Sequence, residues 1–281
     1  MTEDIAVYVM THGPECTHLE DYCIPLEIGA ACRDKHLGIL RDDTGDNISE
    51  KDRMYCELTG LYWMWKNQSH DIVGLYHYRR VFNLSSKRIQ KILSNYDIIL
   101  PKKIDIRPTI DSEHQRQKLP LDWKIMKDVL KELYPDYYES AKLIIMQNTS
   151  YAYNMFVTTN RIFNDYCAWL FPILFEVERR FELQHDERLA ELKEHRNKPD
   201  YLNGYYERAI GFLAERLIDV FVAHNKLRVK EVELELVPPY FPLWKRAPEI
   251  CKKMVMSNVV VYNVTLKLQE KIYKYIHSCE F

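Results

Sequence analysis

Several signatures of common enzyme classes are missing from this sequence. It has no glycine-rich loop of the P-loop or dinucleotide kind and no Gly-x-Ser-x-Gly elbow. That removes two phosphate cradles and the α/β-hydrolase nucleophile. Its 7 cysteines are scattered, odd in number and never in a Cys-x-x-Cys pair, which argues against structural zinc and thioredoxin-type redox chemistry and predicts a reducing compartment. No apolar run is long enough to cross a bilayer. The opening MTEDIAVYVMTHG puts acids before a short apolar run, the reverse of a signal peptide. The expected location is therefore cytoplasmic, and Asn-x-Ser/Thr matches such as Asn47, Asn148 and Asn263 read as chance. A formal net charge of −2 supplies no general attraction to nucleic acid. No internal repeat or low-complexity linker divides the chain, and nothing in it sets an oligomeric state.

What is present is an ordinary globular composition. The 281 residues are 47% hydrophobic and 28% charged, enough to bury a core without staples. The 20 tyrosines and 5 tryptophans suit sugar or base recognition, although most aromatics serve the core. Short β-branched runs at Ile5–Met10, Asp71–Tyr76, Tyr96–Leu100 and Tyr151–Thr158 read as strands. Ile72-Val73-Gly74-Leu75 is apolar throughout, as a strand covered on both faces requires. Helices are predicted from Ser49 to about Lys66 behind a near capping box, over Ser86–Leu93, Asp122–Leu133 and Tyr137–Met146, over Arg161–Phe181 with a break or kink at Pro172, and over Arg208–His224. The stretch Asp105–Leu121 reads as a polar loop, and Glu231–Leu236 as a half-exposed strand whose three glutamates mark a solvated edge. Strands alternating with helices predict an α/β sheet. The expected organisation is one domain over 1–240 and a helical extension over 241–281 packed on it.

Four clusters carry candidate chemistry. His77-Tyr78-Arg79-Arg80 follows a buried strand, and ligands of open α/β sheets bind beyond the carboxyl ends of strands. Two guanidiniums there can grip a diphosphate, or they can be a surface pair in weak salt bridges. Asp42-Asp43-Thr44-Gly45-Asp46-Asn47 offers carboxylates in a glycine turn, suited to sugar hydroxyls or a divalent cation, or simply to turning the chain into a helix. Glu215 interrupts an apolar helix face and is either a general base or half of an ion pair with Arg216 or Arg208. Asn154, at a strand entry, can bind a substrate hydroxyl or make a turn. No Asp-x-Asp pair ends a buried strand; the arginines stand where that metal-chelating pair would be sought. Whether Mg2+ or Mn2+ takes part stays open, with Asp43 and Asp46 as the remaining acidic ligands.

In order, DDTGDNIS, CELTGLYWMWKN, VGLYHYRRVF, YDIILP, NMFV, WLFPILFEVE and GFLAERL resemble the bacterial capsule and exopolysaccharide biosynthesis proteins grouped as domain of unknown function 4422. The resemblance runs from Val7 to about Val237. One departure is Asp52, where the family pattern has Asn; in a first helical turn little consequence is expected. The resemblance implies a glycosyltransferase of GT-A-like fold, a mixed sheet flanked by helices, related to enzymes that transfer β-galactofuranose into surface polysaccharide. It implies a nucleotide-sugar donor, with UDP-galactofuranose preferred, and an oligosaccharide or lipid-linked glycan acceptor. Thr11 and His12 fall on the nucleotide side, Asp43, Asp46 and Asn47 face the donor, and His77, Arg79 and Arg80 meet the diphosphate. Asn154 and Trp123 lie towards the acceptor. Glu215 is the first choice of base for an inverting transfer, with Asp97 and Asp46 behind it. The basic, aromatic segment Lys267–His277 is either a terminal helix or a peripheral contact with an anionic membrane.

Overall fold

The computed structural model describes residues 3–13, 19–106, 108–195 and 204–237. The expected extension over 241–281, with Lys267–His277, lies outside them. The strands are β1 (Ile5–Thr11), β2 (Cys23–Glu27), β3 (Leu40–Arg41), β4 (Ile72–His77), β5 (Arg80–Phe82), β6 (Ile98–Pro101), β7 (Ile104–Asp105), β8 (Thr149–Ser150), β9 (Phe156–Thr159), β10 (Val229–Val232) and β11 (Leu234–Leu236). The helices are α1 (Asp52–Tyr55), α2 (Leu58–Asn67), α3 (Ser86–Leu93), α4 (Ile110–Gln117), α5 (Pro120–Leu133), α6 (Pro135–Ile144), α7 (Asn160–Leu183), α8 (His185–His195) and α9 (Ala209–His224).

Among the described residues nine strands form one mixed sheet: seven follow the path β10-β6-β9-β4-β1-β2-β3, β5 pairs with β4, and β11 pairs with β5. β1 is parallel to both β2 and β4, while β9 runs antiparallel between β4 and β6. The all-apolar runs become central strands, as expected: β1 from Ala6 to Thr11 and β4 from Ile72 to Tyr76 are buried throughout. Glycine sets two close approaches. A Cβ on Gly74 would come within 2.8 Å of Val157 Cγ2 and 2.9 Å of the Phe156 carbonyl, so only glycine lets β9 lie this close to β4. A Cβ on Gly60 would meet Met10 Sδ at 2.4 Å, so α2 presses directly on the end of β1. α7 packs on β4 and β9, α3 on β6 and β9, and α5, α6, α7 and α9 pack on one another. Trp65 stacks on Phe171 at 5.6 Å and joins α2 to α7.

Several expectations are corrected. The helix expected from Ser49 to Lys66 is a 3-10 turn, then α1, then α2, because Cys56 takes a left-handed φ of 53° and breaks it. Ser49 does not cap that helix; its hydroxyl donates to Asp42 Oδ1 at 2.5 Å and accepts from Ala31 N. The polar stretch over 105–121 holds α4, capped by Thr109, whose Oγ1 accepts from Ser112 N at 3.1 Å. The single strand expected over Glu231–Leu236 is split between β10 and β11 on different neighbours. α7 runs on through Pro172 to Leu183.

Candidate active site

At the carboxyl ends of β1 and β4, where Met10 lies beside His77, the chain surrounds a cavity of about 670 Å³. Chain direction decides its contents. β4 ends at His77 and returns through a two-residue turn to β5, pairing His77 with Arg80. This tight hairpin carries Tyr78, Arg79 and Arg80 onto the cavity wall. His77 Nε2 lies 2.7 Å from the Tyr153 carbonyl, and the Arg80 guanidinium lies over the Tyr153 ring at 4.3 Å. Among the described residues Arg80 pairs with no carboxylate. Its charge is therefore available to an anion.

Acids stand on the other walls. Asp52 and Glu57 come from the broken helix and Glu215 from α9, with Arg208 at the α9 entrance. Two backbone kinks aim them. Cys56, with φ 53°, swings Glu57 inward, and Tyr153 and Asn154, at φ 75° and 52°, cross in front of α9. Such conformations cost of order 1–3 kcal/mol each and persist where the surroundings dictate them. Here the surroundings are hydrogen bonds: Asn154 Nδ2 donates to Glu57 Oε1 at 2.6 Å, and Tyr153 N donates to Glu215 Oε1 at 3.2 Å. Arg208 Nε lies 3.2 Å from Cys56 Sγ.

The environment shifts several of these groups. Burial raises the Glu215 carboxyl above its ordinary range; Arg216 opposes this and Glu57 adds to it. Asp52 is raised by burial against the pull of His12. His12 is held low chiefly by burial, and its Nδ1 lies 2.5 Å from Arg33 Nη2. Burial pushes the Cys56 thiol up to about 11, despite Arg208, so it is a packed thiol and not a nucleophile at neutral pH.

The sequence-predicted residues divide. His12, His77, Arg79, Arg80 and Glu215 line the cavity. Thr11 is fully buried, its Oγ1 donating to the Gly13 carbonyl at 2.6 Å. Asn154 stands behind Glu57 and not on the cavity surface. The acidic bend lies apart from the cavity. Asp43 pairs with Arg41 at 3.0 Å, Asp46 Oδ1 accepts from the Tyr62 hydroxyl at 3.2 Å, and Asn47 closes its own turn on Gly45 O at 2.9 Å. Asp97 precedes β6 at the opposite end of the sheet, bound by Arg228 at 2.8 Å. Trp123 is core, stacked on His114 at 4.1 Å with its Nε1 donating to Asp111 Oδ1 at 2.7 Å. Asp52, Arg53, Glu57, Tyr153 and Arg208 are cavity residues that sequence reasoning passed over. The one available signal was the unusual Cys56-Glu57 start of CELTG. Asp52, a departure from the family pattern from which little consequence is expected, faces the cavity beside His12. Among the described residues no three His, Cys, Asp or Glu side chains gather as a metal site.

A mixed sheet flanked by helices, with a polar cavity at its carboxyl edge, is the architecture of a ligand-binding α/β protein. The model of the family described as Domain of unknown function (DUF4422) matches residues 6–192, and the chain belongs to that family. Glu215 and Arg208 lie beyond the matched stretch. Among solved structures the chain is similar to the bifunctional glycosyltransferase WbbM in its apo form, with 28% identity and a TM-score of 0.72. The similarity covers 85% of this chain and 48% of that one, so this chain spans about half the length of WbbM. The GT-A-like expectation agrees with that likeness. No curated protein matches.

Proposed function

We propose that the chain is a nucleotide-sugar-dependent glycosyltransferase whose donor and acceptor meet in the cavity at the ends of β1 and β4. The observation that carries this reading is the opposition, across about 670 Å³, of an arginine hairpin and buried acids. Arg79, Arg80 and Arg208 take the donor diphosphate, and Glu215 takes the proton of the acceptor hydroxyl. As the acceptor oxygen bonds to the anomeric carbon, the bond from that carbon to the phosphate oxygen breaks. Its electron pair leaves with the nucleoside diphosphate. Negative charge on that leaving group is greatest late in the reaction, so fixed guanidiniums stabilise the transition state more than the bound donor. A carboxyl raised by burial is a better proton acceptor than an ordinary one. Proton removal opposite the leaving group corresponds to inversion.

The similarity to WbbM and the family resemblance support a sugar donor. UDP-galactofuranose is the preferred donor, and a growing capsular, exopolysaccharide or O-antigen glycan the preferred acceptor. Turnover measured with and without EDTA decides whether Mg2+ or Mn2+ takes part. Among the described residues no helix is long and apolar enough to cross a membrane.

Thermal melting with UDP, GDP and CMP tests nucleotide binding, because a ligand held only by the folded state raises its stability. UDP is expected to raise the melting temperature of the wild type and to do so much less in Arg80→Ala. Incubation with UDP-galactofuranose and glycan acceptors should release UDP. Release of pyrophosphate instead would assign a nucleotidyltransferase, and no nucleotide effect at all would overturn the enzyme reading.

A further inference from the structure

Glu215 does not hang freely in the cavity. Its Oε2 accepts from Arg216 Nη2 at 3.0 Å while its Oε1 accepts from Tyr153 N. Arg216 is itself 7% exposed and held from behind. Its Nη1 donates to Ser150 Oγ at 2.5 Å and to the Tyr151 carbonyl at 3.2 Å. Ser150 Oγ also lies 2.6 Å from Asp219 Oδ2, which accepts from Tyr151 N at 3.0 Å as well. Asp219 is 2% exposed and pairs with Lys103 at 2.8 Å. A relay of buried polar groups thus runs from the cavity wall, through α9, to the β8 region. None of Arg216, Ser150 or Asp219 lines the cavity.

We infer that Arg216 is a positioning residue for Glu215, aimed by Ser150 and Asp219, and that this relay sets where Glu215 gains and loses its proton. As a statement about which group tunes the proposed base, it rests on the function proposed above. A core of this kind gains nothing from a buried ion pair that apolar residues could not supply. The arrangement is explained by what it does to the carboxylate. One oxygen is fixed by a backbone amide and the other by a guanidinium, so the carboxylate plane cannot turn. The carboxylate held in this way lines the cavity. The charged groups facing Glu215 are Arg216 on α9, Glu57 at the start of α2, Lys118 after α4 and Arg208 at the head of α9. Arg216 is the member of this set in direct contact. Lys118 is itself lowered by burial and lies over Phe212 at 4.3 Å. Glu57 works in the opposite sense.

The test reads the proton directly. Protein carrying 13C-carboxyl glutamate is titrated by NMR, and the resonance lost in Glu215→Gln is assigned to Glu215. In Arg216→Met the midpoint of that resonance should rise by about one pH unit or more, because the nearest opposite charge is gone. In Ser150→Ala, which leaves the charge but frees its aim, the midpoint should rise by less, and Arg216→Lys should return it most of the way. If Arg216→Met does not fold, Ser150→Ala carries the measurement alone. A midpoint unmoved in both variants overturns the inference. UDP release from UDP-galactofuranose separates this from the functional reading. Should Glu215→Gln turn over like wild type, the proposed base is wrong, while the titration still decides whether Arg216 tunes Glu215. The expected pattern is a fall in kcat with KM little changed in Arg216→Met, with the acid limb of its pH profile displaced upward.

Discussion

Two polar clusters stand out in the sequence, and the fold uses them in opposite ways. The acidic bend from Asp42 to Asn47 spends its carboxylates on its own chain. Asp42, fully buried, accepts from Gly29 N at 2.9 Å, Ala30 N at 3.1 Å and Ser49 Oγ. It stitches three segments together, and Gly29 must be glycine both for its φ of 64° and because a Cβ there would meet Asp52 at 2.3 Å. The hairpin His77–Arg80 and the acids opposite it do the reverse: they leave charge facing an open cavity. A carboxylate among backbone amides stabilises the fold, whereas one whose charged form burial disfavours, as at Glu215, costs stability and is available for chemistry.

The sharpest break of this comparison is Glu215→Gln, which should lower turnover by roughly a hundredfold or more while UDP binding by calorimetry is retained. Arg80→Ala should cost about a hundredfold in kcat/KM and weaken UDP; near-normal values for both variants would return the cavity to ordinary surface. Asp42→Ala, in the other region, should leave UDP binding intact in the folded fraction and destabilise the chain by about 3 kcal/mol in urea unfolding, since three donors lose their acceptor. The sign of the pH effect separates the regions further. The Glu215 carboxyl is raised in the folded state above its ordinary 4.5, so the folded state binds more protons than the unfolded one above that pH. Its contribution is fully present below about 4.5 and is lost as pH rises through the raised value. Glu215→Gln should therefore gain stability over wild type between acid and neutral pH, read as a widening difference in urea midpoints. Least affected should be Asp46→Ala, whose exposed bond to Tyr62 predicts a change within about 0.5 kcal/mol and unaltered turnover; a large activity loss there would restore the bend to the donor site.

The elements were legible where one physical rule dominated. β1 and β4 read correctly because a strand covered on both faces is apolar at every position, and α3 and α5 because their apolar residues recur at helical spacing. α4 was missed because IDSEHQRQ is polar over most of its length; its place depends on Thr109 and on Trp123 stacking against His114. The break at Cys56 was missed because nothing local announces a left-handed cysteine. It goes with a contact distant in the chain, the bond from Asn154 to Glu57 across 97 residues.

By itself the sequence determined the α/β class, the buried strands and the presence of arginines at the end of β4, since these follow from the order of apolar and charged residues along the chain. Only the tertiary structure decided which polar groups face the cavity. Asp52, Glu57, Arg208 and Glu215 converge there, while Asp43, Asp46, Asp97 and Trp123 do not. That choice belongs to long-range hydrogen bonds and close packing, which depend on which segments meet in space and not on which residues are neighbours in the chain.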